Sequence, residues 1–325
     1  MNGGGPTTGG RLVSLTAWTI LAVAGILAVT QAAGWSGLRI VAAMQALTPY
    51  LGVLVLPVVA VSLWQRRPLM TATGVAVGLA LLVLAAPLVF PDERPIPLAG
   101  ATELRIASGN LLYRNDRVAD VADRLRAIDA DIIVFVEYST AHRETLEGSP
   151  LAELYPYRVD RGGGEVGGAA VWSRMPVTVG PFPDTVNRGL DVTVTGPHGD
   201  VRILALHVPT PLDSLDGWHA DLRTAARLTA ATTSPTVVIG DLNASYWHPV
   251  FREVLDAGLT DAHTANARGF TTSWPTDRVV PPFVRLDHAL TTDDLVATDV
   301  TDFDIPGSDH RGLVVTVVPA RPAAP

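Results

Sequence analysis

The first ninety residues differ from the rest of the chain in how rarely a charged residue interrupts them. Three charge-free runs of 27, 26 and 24 residues follow one another, separated by Arg39 and by the pair Arg66–Arg67. Each run exceeds the roughly 20 apolar residues that a helix needs to cross a hydrocarbon core of ~30 Å. The pattern predicts a transmembrane region at 12–90 with three helices, at about 12–33, 40–64 and 69–90.

The arginines between these runs indicate an orientation. The first run is longer than the apolar core of a signal peptide, which spans about 7–15 residues. The alternative, buried helices of a globular domain, would require a large partner surface to cover them. If all three segments cross, Arg11 and the Arg66–Arg67 pair lie on one side and Arg39 lies alone on the other. The positive-inside rule then predicts a cytoplasmic N-terminus at 1–11 and an extracytoplasmic position for everything after residue 90.

Residues 91–102 (PDERPIPLAGAT) contain three prolines, which favour an extended, semi-stiff linker. At ~3.1 Å per residue this linker reaches at most about 37 Å. We therefore expect it to hold the following domain close to the bilayer surface.

From residue 103 the pattern changes to short β runs that alternate with amphipathic helices. The run DIIVFVEY at 131–138 is continuously apolar, as is typical of a strand buried on both faces. Together these elements predict an α/β domain at 103–318, built of two packed sheets flanked by helices, and a disordered tail at 319–325. We predict strands at 103–111, 131–138, 167–173, 191–195, 201–208, 236–243, 285–291 and 312–318, and helices at 116–128, about 215–232 and about 247–257.

The charge of the chain is concentrated in this second part. Residues 1–100 hold five of the 24 basic and two of the 32 acidic residues. The remainder therefore carries 19 basic and 30 acidic residues, a net charge near −11. The chain has no cysteine, which excludes disulfides and thiolate metal sites.

Polar residues suited to metal or phosphate chemistry end or follow nearly every predicted strand. Rigid strands whose ends carry such groups are a common scaffold for catalysis. Each residue also has a plain structural interpretation: Glu137 as a helix cap, Asp241 and Asn243 as an Asx-turn, and His207 as a hydrogen-bonded core histidine. A shared catalytic site explains the complete set better than separate turns and helix caps do. The set comprises Asn110, Glu137, His207, Asp241, Asn243, Asp287, Asp309 and His310.

The order of these residues resembles the endonuclease/exonuclease/phosphatase superfamily. That group includes DNase I-like nucleases, inositol polyphosphate 5-phosphatases and sphingomyelinases. The resemblance spans about 103–318 and implies the four-layered α/β sandwich of DNase I-like proteins. The matching segments are SGN ending at 110, VFVE ending at 137, LHVP around 207, GDLN at 240–243, RLDH at 285–288 and SDH at 308–310.

The resemblance also implies a role for each residue. Glu137, with Asn110 and Asp309, would hold Mg²⁺, which prefers hard oxygen ligands; Mn²⁺ is the alternative. Asp241 would position or deprotonate the attacking water. The remaining roles are phosphate contact by Asn243 and His207, and stabilisation of transition-state charge by His310, oriented by Asp287.

The glycine-rich segment RGGGEVGG at 161–168 resembles a phosphate cradle only superficially. It lacks the strand–loop–helix setting and the Lys-Ser/Thr ending of a P-loop. We interpret it as a flexible hairpin loop.

Three observations bear on the substrate. A domain at net −11 lacks the basic footprint typical of nucleic-acid binders. In HVPTP, Thr210 stands where the DNA-repair branch has Asn in its YVPN pattern. A short tether favours a substrate that is itself in the bilayer, because tethering raises its effective concentration.

A triple-spanning anchor followed by this domain looks like the VanJ-type proteins of glycopeptide-producing actinobacteria, linked to teicoplanin resistance. That resemblance implies a multi-pass cell-membrane protein whose extracytoplasmic domain acts on a phosphorylated lipid, undecaprenyl pyrophosphate. The alternatives are an extracytoplasmic nuclease or phosphodiesterase, and a non-catalytic module that binds a phospholipid. Occupation of all eight polar positions argues against the silent module.

Overall fold

The structure is a computed structural model that describes residues 8–91, 95–162, 167–197 and 199–321. It divides into two compact units. The first comprises the described residues up to Pro87 together with Tyr246–Pro249, and the second comprises Leu88–Ser245 and the described residues from Val250 onward.

The apolar runs form helices, as predicted, but the second run is broken. The first and last runs form α1 (Thr8–Ala32) and α4 (Pro68–Val89), each long and apolar enough to cross a membrane. The predicted helix at 40–64 is instead two helices, α2 (Arg39–Gln45) and α3 (Thr48–Trp64), bent by 70°. Proline in the first turn of α3 has no backbone N–H to continue a preceding helix. The unit thus has two candidate spans, or three if the bent pair is one span.

The second unit is built around two six-stranded sheets. The first sheet has the order β11-β12-β1-β2-β4-β3. Within it β1 and β2 are parallel, and its other neighbouring strands are antiparallel. Its strands are β1 (Leu104–Asn110), β2 (Ile132–Val136), β3 (Tyr157–Arg161), β4 (Ala169–Ser173), β11 (Leu295–Asp304) and β12 (Arg311–Pro319).

The second sheet repeats this arrangement around another parallel pair. Its order is β5-β6-β7-β8-β10-β9, and β7 and β8 are its parallel neighbours. Apolar side chains of both sheets, such as Ile106 and Val134 of the first and Ile203 and Val237 of the second, form one buried cluster. Its strands are β5 (Val177–Val179), β6 (Leu190–Gly196), β7 (Gly199–His207), β8 (Thr236–Asp241), β9 (Thr260–Asp261) and β10 (Asp287–Thr291).

Helices cover the outer faces of the two sheets. Leu125 of α5 and Leu146 of α6 share a second buried cluster with Phe135 and Trp172 of the first sheet. At the second sheet, Arg202 donates from Nη1 to the carbonyl oxygen of Leu228 in α7 at 2.9 Å. The predicted α/β sandwich of two sheets is therefore confirmed. The helices are α5 (Val118–Ile128), α6 (Thr140–Glu147), α7 (Leu215–Ala230), α8 (Pro249–Asp256), α9 (Ala262–Ala265) and a 3₁₀ turn at Ala152–Leu154.

The four strands that the sequence pattern did not predict are the outermost strands, or edge strands, of the two sheets. These are β11 and β3 in the first sheet, and β5 and β9 in the second. An edge strand has a neighbour on one side only and is often short or polar. Its hydrophobic alternation is therefore weaker than that of the central strands, all eight of which were predicted.

The predicted linker and tail are joined to each other in the structure. Leu98 donates its N–H to the carbonyl oxygen of Pro319 at 2.9 Å, and Arg321 donates to Ile96 at 2.6 Å. The prediction of a disordered tail from residue 319 is therefore wrong for 319–321. Residues 92–94 of the linker and 322–325 of the tail lie outside the described part of the chain, as do 163–166 of the glycine-rich segment.

Candidate active site

The polar residues at the strand ends meet on one side of the sandwich. This side is formed by strand ends and loops, not by the outermost strands, and we call it the catalytic edge. Asn110 ends β1 and Glu137 directly follows β2, and these parallel strands pair in the register Asn110↔Val136. In the second sheet, His207 ends β7 opposite Asp241, which ends β8. The carboxyl ends of both parallel pairs therefore lie together.

Two antiparallel strands begin at the same edge. Asp287 is the first residue of β10 and pairs with Asp241, and His310 directly precedes β12. Because an antiparallel neighbour begins where a parallel strand ends, its first residues reach the same place. The topology thus assembles residues separated by up to 200 positions.

Asn110 joins the two sheets. Its side chain is buried, and Nδ2 donates to Glu137 Oε1 at 3.0 Å and to Asp241 Oδ2 at 2.9 Å. Its Oδ1 accepts the backbone N–H of Leu112 at 2.9 Å. In this orientation the amide links the two carboxylates, and the oxygen that would bind a metal ion is directed to Leu112.

Glu137 has an unusual backbone conformation. Its φ is 53°, in the left-handed region that a residue with a side chain seldom adopts. A Cβ atom on Gly167 would lie 2.8 Å from the Cα atom of Glu137, so the close approach of the two backbones requires glycine there. Glu137 Oε2 accepts the N–H of Tyr113 at 2.9 Å. The prediction of a plain helix cap does not account for these contacts, because Ser139 caps α6.

Asp241 is the most deeply buried carboxylate of the cluster, with 1% of the residue exposed. Burial raises its pKa, although electrostatic interaction with the neighbouring histidines, His310 first, opposes the shift. Its Oδ1 accepts the N–H of Asn243 at 2.9 Å, which is the predicted Asx-turn. The same carboxylate therefore forms a local turn and faces the cluster through Oδ2.

Asn243 also has a left-handed backbone, with φ 44°. Its Nδ2 donates to the carbonyl oxygen of Val208 at 2.8 Å and approaches Asp241 Oδ2 at 3.4 Å. Trp218 of α7 donates from Nε1 to the Asn243 carbonyl oxygen at 2.9 Å. These contacts fix the amide beside the proposed base.

His207 lies between two carboxylates. Its Nε2 is 3.7 Å from Glu137 Oε1 and 3.9 Å from Asp241 Oδ2, longer than a hydrogen bond in both cases. The side chain is 12% exposed. This placement suits contact with a bound group better than the alternative of a hydrogen-bonded core histidine.

His310 and Asp287 form a buried pair across the two sheets. His310 Nδ1 lies 2.8 Å from Asp287 Oδ2, and Nε2 lies 3.7 Å from Asp241 Oδ2. Burial lowers the pKa of His310, but the charges of Asp287 and Asp241 outweigh it and raise the pKa to about 10. The raised pKa favours the protonated imidazole, whose Nε2 faces Asp241.

Asp309, the third predicted metal ligand, makes a different contact. Its Oδ2 accepts a hydrogen bond from Trp274 Nε1 at 3.0 Å. Among the described residues, the group whose ligand atoms lie within 4.8 Å of one another is Asp241, Asp287 and His310, which does not include Asp309. Asp287 already contacts His310 Nδ1 at 2.8 Å, so these residues form a hydrogen-bonded pair beside Asp241 that is also a candidate metal site.

Glu137 fits a divalent cation better. Its carboxylate offers hard oxygen atoms, and its side chain is 16% exposed. Asn110 Nδ2 donates to both Glu137 and Asp241, so a second carboxylate lies close by. Glu137 would hold the ion. Asp309 could become a second ligand only if its hydrogen bond from Trp274 Nε1 were broken.

A buried network behind Asp287 escaped the sequence analysis. His288 Nδ1 lies 2.9 Å from Asp261 Oδ2, and its Nε2 lies 2.9 Å from the carbonyl oxygen of Ala244, next to Asn243. Arg285 donates to the other oxygen of Asp261 at 2.9 Å. The network holds the 241–244 turn in place. The segment RLDH contained Arg285 and His288, but Asp261 gave no signal because it lies on the unpredicted edge strand β9.

Comparison with protein families agrees with this geometry. The model of the "Endonuclease/Exonuclease/phosphatase family" matches residues 106–310, more than half of the chain. The chain belongs to the endonuclease/exonuclease/phosphatase family. It is therefore a metal-dependent hydrolase of phosphoester bonds.

Solved structures share the fold of this family member. TDP2 from D. rerio, complexed with single strand DNA product, is 17% identical with a TM-score of 0.55, covering 66% of this chain and 99% of that one. An AP endonuclease from Archaeoglobus fulgidus is 20% identical with a TM-score of 0.53, covering 65% and 98%. An endonuclease/exonuclease/phosphatase from Beutenbergia cavernae is 20% identical with a TM-score of 0.50, covering 68% and 73%. The search of curated proteins found no match.

Proposed function

We propose that this hydrolase is a membrane-anchored, Mg²⁺-dependent phosphatase of a lipid-linked pyrophosphate at the outer face of the cell membrane. Undecaprenyl pyrophosphate is the expected substrate, and the VanJ-type role in glycopeptide resistance is the expected context. The observation that carries the proposal is the presence, in one chain, of this catalytic cluster and of two helices long and apolar enough to span a membrane.

The residues of the cluster suit the release of phosphate by water. A divalent ion, when bound at Glu137, would neutralise charge on the phosphate and favour in-line attack. Asp241 would hold the attacking water and accept its proton, for which a raised pKa is favourable. The positive charge of His310 would stabilise the transition state, while His207 and Asn243 would contact the phosphate oxygens.

The connection between helix and domain is short. Helix α4 ends at Val89, and Ile96 already pairs with the end of the chain. Residues 90–95 alone join the two, and the seven residue steps from Val89 to Ile96 reach at most about 25 Å at ~3.3–3.6 Å per residue. A tether of this length favours substrates held in the bilayer.

The charge of the catalytic part supports the same choice. Its net charge near −11 opposes the binding of a polyanion such as DNA, for which phosphate neutralisation supplies most of the affinity. The arginine distribution favours an extracytoplasmic domain. A reporter fused to the C-terminus and assayed on both sides of the membrane tests this orientation, and a cytoplasmic C-terminus would contradict it.

The substrate proposal is tested with the purified full chain in vesicles. We expect release of phosphate from undecaprenyl pyrophosphate that requires Mg²⁺ and is lost in Asp241→Asn. Cleavage of duplex or single-stranded DNA without release of lipid phosphate would instead establish the second candidate, an extracytoplasmic nuclease or phosphodiesterase. That candidate is favoured by the fold shared with a TDP2 bound to a DNA product and with an AP endonuclease.

The third hypothesis, a phospholipid-binding module without activity, conflicts with the hydrolase activity of the family, and a direct test excludes it. Such a module would bind vesicles containing the phosphorylated lipid and show no Mg²⁺-dependent turnover of any phosphoester. Turnover that disappears on chelation and returns with Mg²⁺ would exclude it.

A further inference from the structure

A hairpin projects from the catalytic edge of the second sheet. Trp274 and Val284 form an antiparallel bridge, with Trp274 N–H donating to the Val284 carbonyl oxygen at 3.0 Å and Val284 N–H donating back at 3.1 Å. The strand β10 starts three residues after Val284, at Asp287. We call residues 274–284 the 274–284 hairpin.

The base of this hairpin is hydrogen-bonded to the catalytic segment 308–310. Thr276 donates its N–H to the carbonyl oxygen of Asp309 at 2.8 Å and its Oγ1 hydrogen to that of Ser308 at 2.9 Å. Trp274 Nε1 donates to the Asp309 carboxylate at 3.0 Å. The hairpin is therefore held in a defined position relative to His310.

The tip of the hairpin exposes apolar side chains. Val279 is 106% exposed and Val280 is 53% exposed. The preceding Asp277 and Arg278 form an ion pair at 3.0 Å, so the tip carries no net charge. These two adjacent valines face solvent on a hairpin whose base is hydrogen-bonded to Ser308 and Asp309, so they are free to contact another surface.

The surroundings of the hairpin indicate which surface it meets. A Cβ atom on Gly269 would lie 3.0 Å from the backbone oxygen of Leu88, so these two residues of the second unit are packed together. Leu88 is the penultimate residue of α4, one of the helices long enough to cross a membrane. Phe270, next to Gly269, is 54% exposed. The chain thus enters this unit from an apolar helix beside the segment that leads into the hairpin.

We propose that the 274–284 hairpin docks on the lipid surface, with Val279 and Val280 inserted at the boundary between headgroups and acyl chains. A short apolar tip without net charge suits this shallow insertion. The docked hairpin turns the catalytic edge toward the bilayer, so that the phosphate of an embedded lipid meets His310 and Asp241 without leaving the membrane. The identity of the substrate rests on the proposed function, whereas the contact of the hairpin with the lipid surface does not.

A single-cysteine label tests the contact directly, because the chain contains no cysteine. The full chain with Val279→Cys carries an environment-sensitive fluorophore and is reconstituted in phosphatidylethanolamine–phosphatidylglycerol vesicles, with and without brominated acyl chains. The control is Leu154→Cys, because Leu154 is also exposed, at 41%. Leu154 lies three residues before β3, whose first residue, Tyr157, pairs with Ser173 at the end of β4. This end of the first sheet lies opposite the catalytic edge. We expect a blue-shifted emission that brominated lipid quenches at position 279 and neither effect at position 154. Equal, unquenched emission at both positions would overturn the proposal.

Activity gives the second readout. The double variant V279D/V280D should turn over a polyprenyl pyrophosphate in vesicles roughly tenfold more slowly, since two charges replace buried apolar area. Hydrolysis of the water-soluble p-nitrophenyl phosphate should be unchanged, as should both activities of Leu154→Asp. An equal loss on both substrates would assign the hairpin to support of Asp309 and refute docking. Quenching at position 279 without hydrolysis of the lipid by the unsubstituted chain would keep the docking surface and refute the proposed substrate.

Discussion

The two sheets supply their parts of the active site by different means. On the first sheet, the backbone positions Glu137: its φ is 53° and it lies against Gly167, which has φ 100°. Asn110 donates to Glu137 as well. On the second sheet, Asp241 and Asp287 have no positive φ, and hydrogen bonds to their carboxylates position them. Asp241 accepts from Asn110 and Asn243, and Asp287 lies 2.8 Å from His310.

The exposure of the two halves differs in the same way. The Glu137 side chain is 16% exposed, whereas those of Asp241 and Asp287 are 1% and 5% exposed. A carboxylate that water reaches can exchange a metal ion, and a buried one is better suited to proton transfer. We therefore expect damage to the Glu137 half, on the first sheet, to alter metal binding, and damage to the buried carboxylates of the second sheet or to their partner His310 to alter the chemical step.

The largest effect is expected from Asp241→Asn. Removal of the base should lower kcat by about 10³–10⁴-fold, in the upper part of the range for general-base catalysis. The metal concentration for half-maximal activity should stay nearly the same. Asp256→Asn, at the exposed end of α8, is the matched control. Retention of more than a tenth of the activity by Asp241→Asn would show that another group accepts the proton.

Substitution of the charged pair should have the next largest effect. His310→Gln should lower kcat by about 10²–10³-fold, and Asp287→Asn by less, because Asp287 acts through the imidazole. The double variant should be no slower than His310→Gln alone. Additive losses, measured by the same phosphate-release assay, would mean that the two residues act independently.

Glu137→Gln tests the first-sheet half. The Mg²⁺ concentration for half-maximal activity should rise by about 10–100-fold, with a smaller change in kcat at saturating metal. Isothermal titration with Mg²⁺ measures the same change without turnover. If kcat fell as in Asp241→Asn while the metal requirement stayed fixed, the distinction between the halves would be wrong.

Gly167→Ala should reproduce the Glu137 effect in weaker form. The new Cβ would approach the Glu137 backbone to 2.8 Å at a φ of 100°, a conformation that costs about 1–3 kcal/mol. Gly258→Ala is matched in backbone strain, with φ 93°, but meets nothing within 4 Å. Both variants should melt at lower temperature, and only Gly167→Ala should require more Mg²⁺. An equal Mg²⁺ requirement in the two variants would show that Gly167 does not influence metal binding at Glu137.

The smallest effect concerns a buried carboxylate beside the second sheet. Asp221 of α7 accepts the N–H of Val186 at 3.0 Å, and burial raises its pKa to about 6. A raised carboxyl pKa means that the charged form destabilises the fold, with the full cost present above pH ~6 and lost progressively as the pH falls from about 6 to the ordinary carboxyl pKa of 3.8. Asp221→Asn should therefore be more stable than the unsubstituted chain at pH 8 by about 1 kcal/mol. Thermal melting should show this difference shrinking toward pH 5, and a difference independent of pH would contradict the assignment.

The sequence predicted the central strands and missed the edges for one physical reason. A central strand such as β2 is buried on both faces and reads as a continuous apolar run. In contrast, β3 has only exposed and half-buried positions, and β11 mixes buried and exposed positions irregularly. The polar residues of the cluster lie at the strand ends, so a pattern that found the central strands also found Asn110, Glu137, His207 and Asp241. Asp261 on the edge strand β9 was missed together with its strand.

Residue roles that depend on contacts across the chain were less accessible. Asp309 follows Ser308 in the matching segment SDH, which suggested a metal ligand, but the contact with Trp274 decides where its carboxylate points. The broken second span has a similar origin. Its composition predicted one helix, and the 70° bend between α2 and α3 reflects the local geometry at a proline.

The sequence by itself determined the class of this protein: apolar helices long enough for a membrane, an acidic α/β domain, and the ordered polar residues of a phosphoesterase. These properties are local, because hydrophobic periodicity and residue type are set by neighbours along the chain. The tertiary structure alone decided which carboxylate is deeply buried, which has a left-handed backbone, and that the pKa of His310 is raised. Burial and electrostatic coupling arise only when residues such as Asn110 and Asp241, 131 positions apart, come within 2.9 Å.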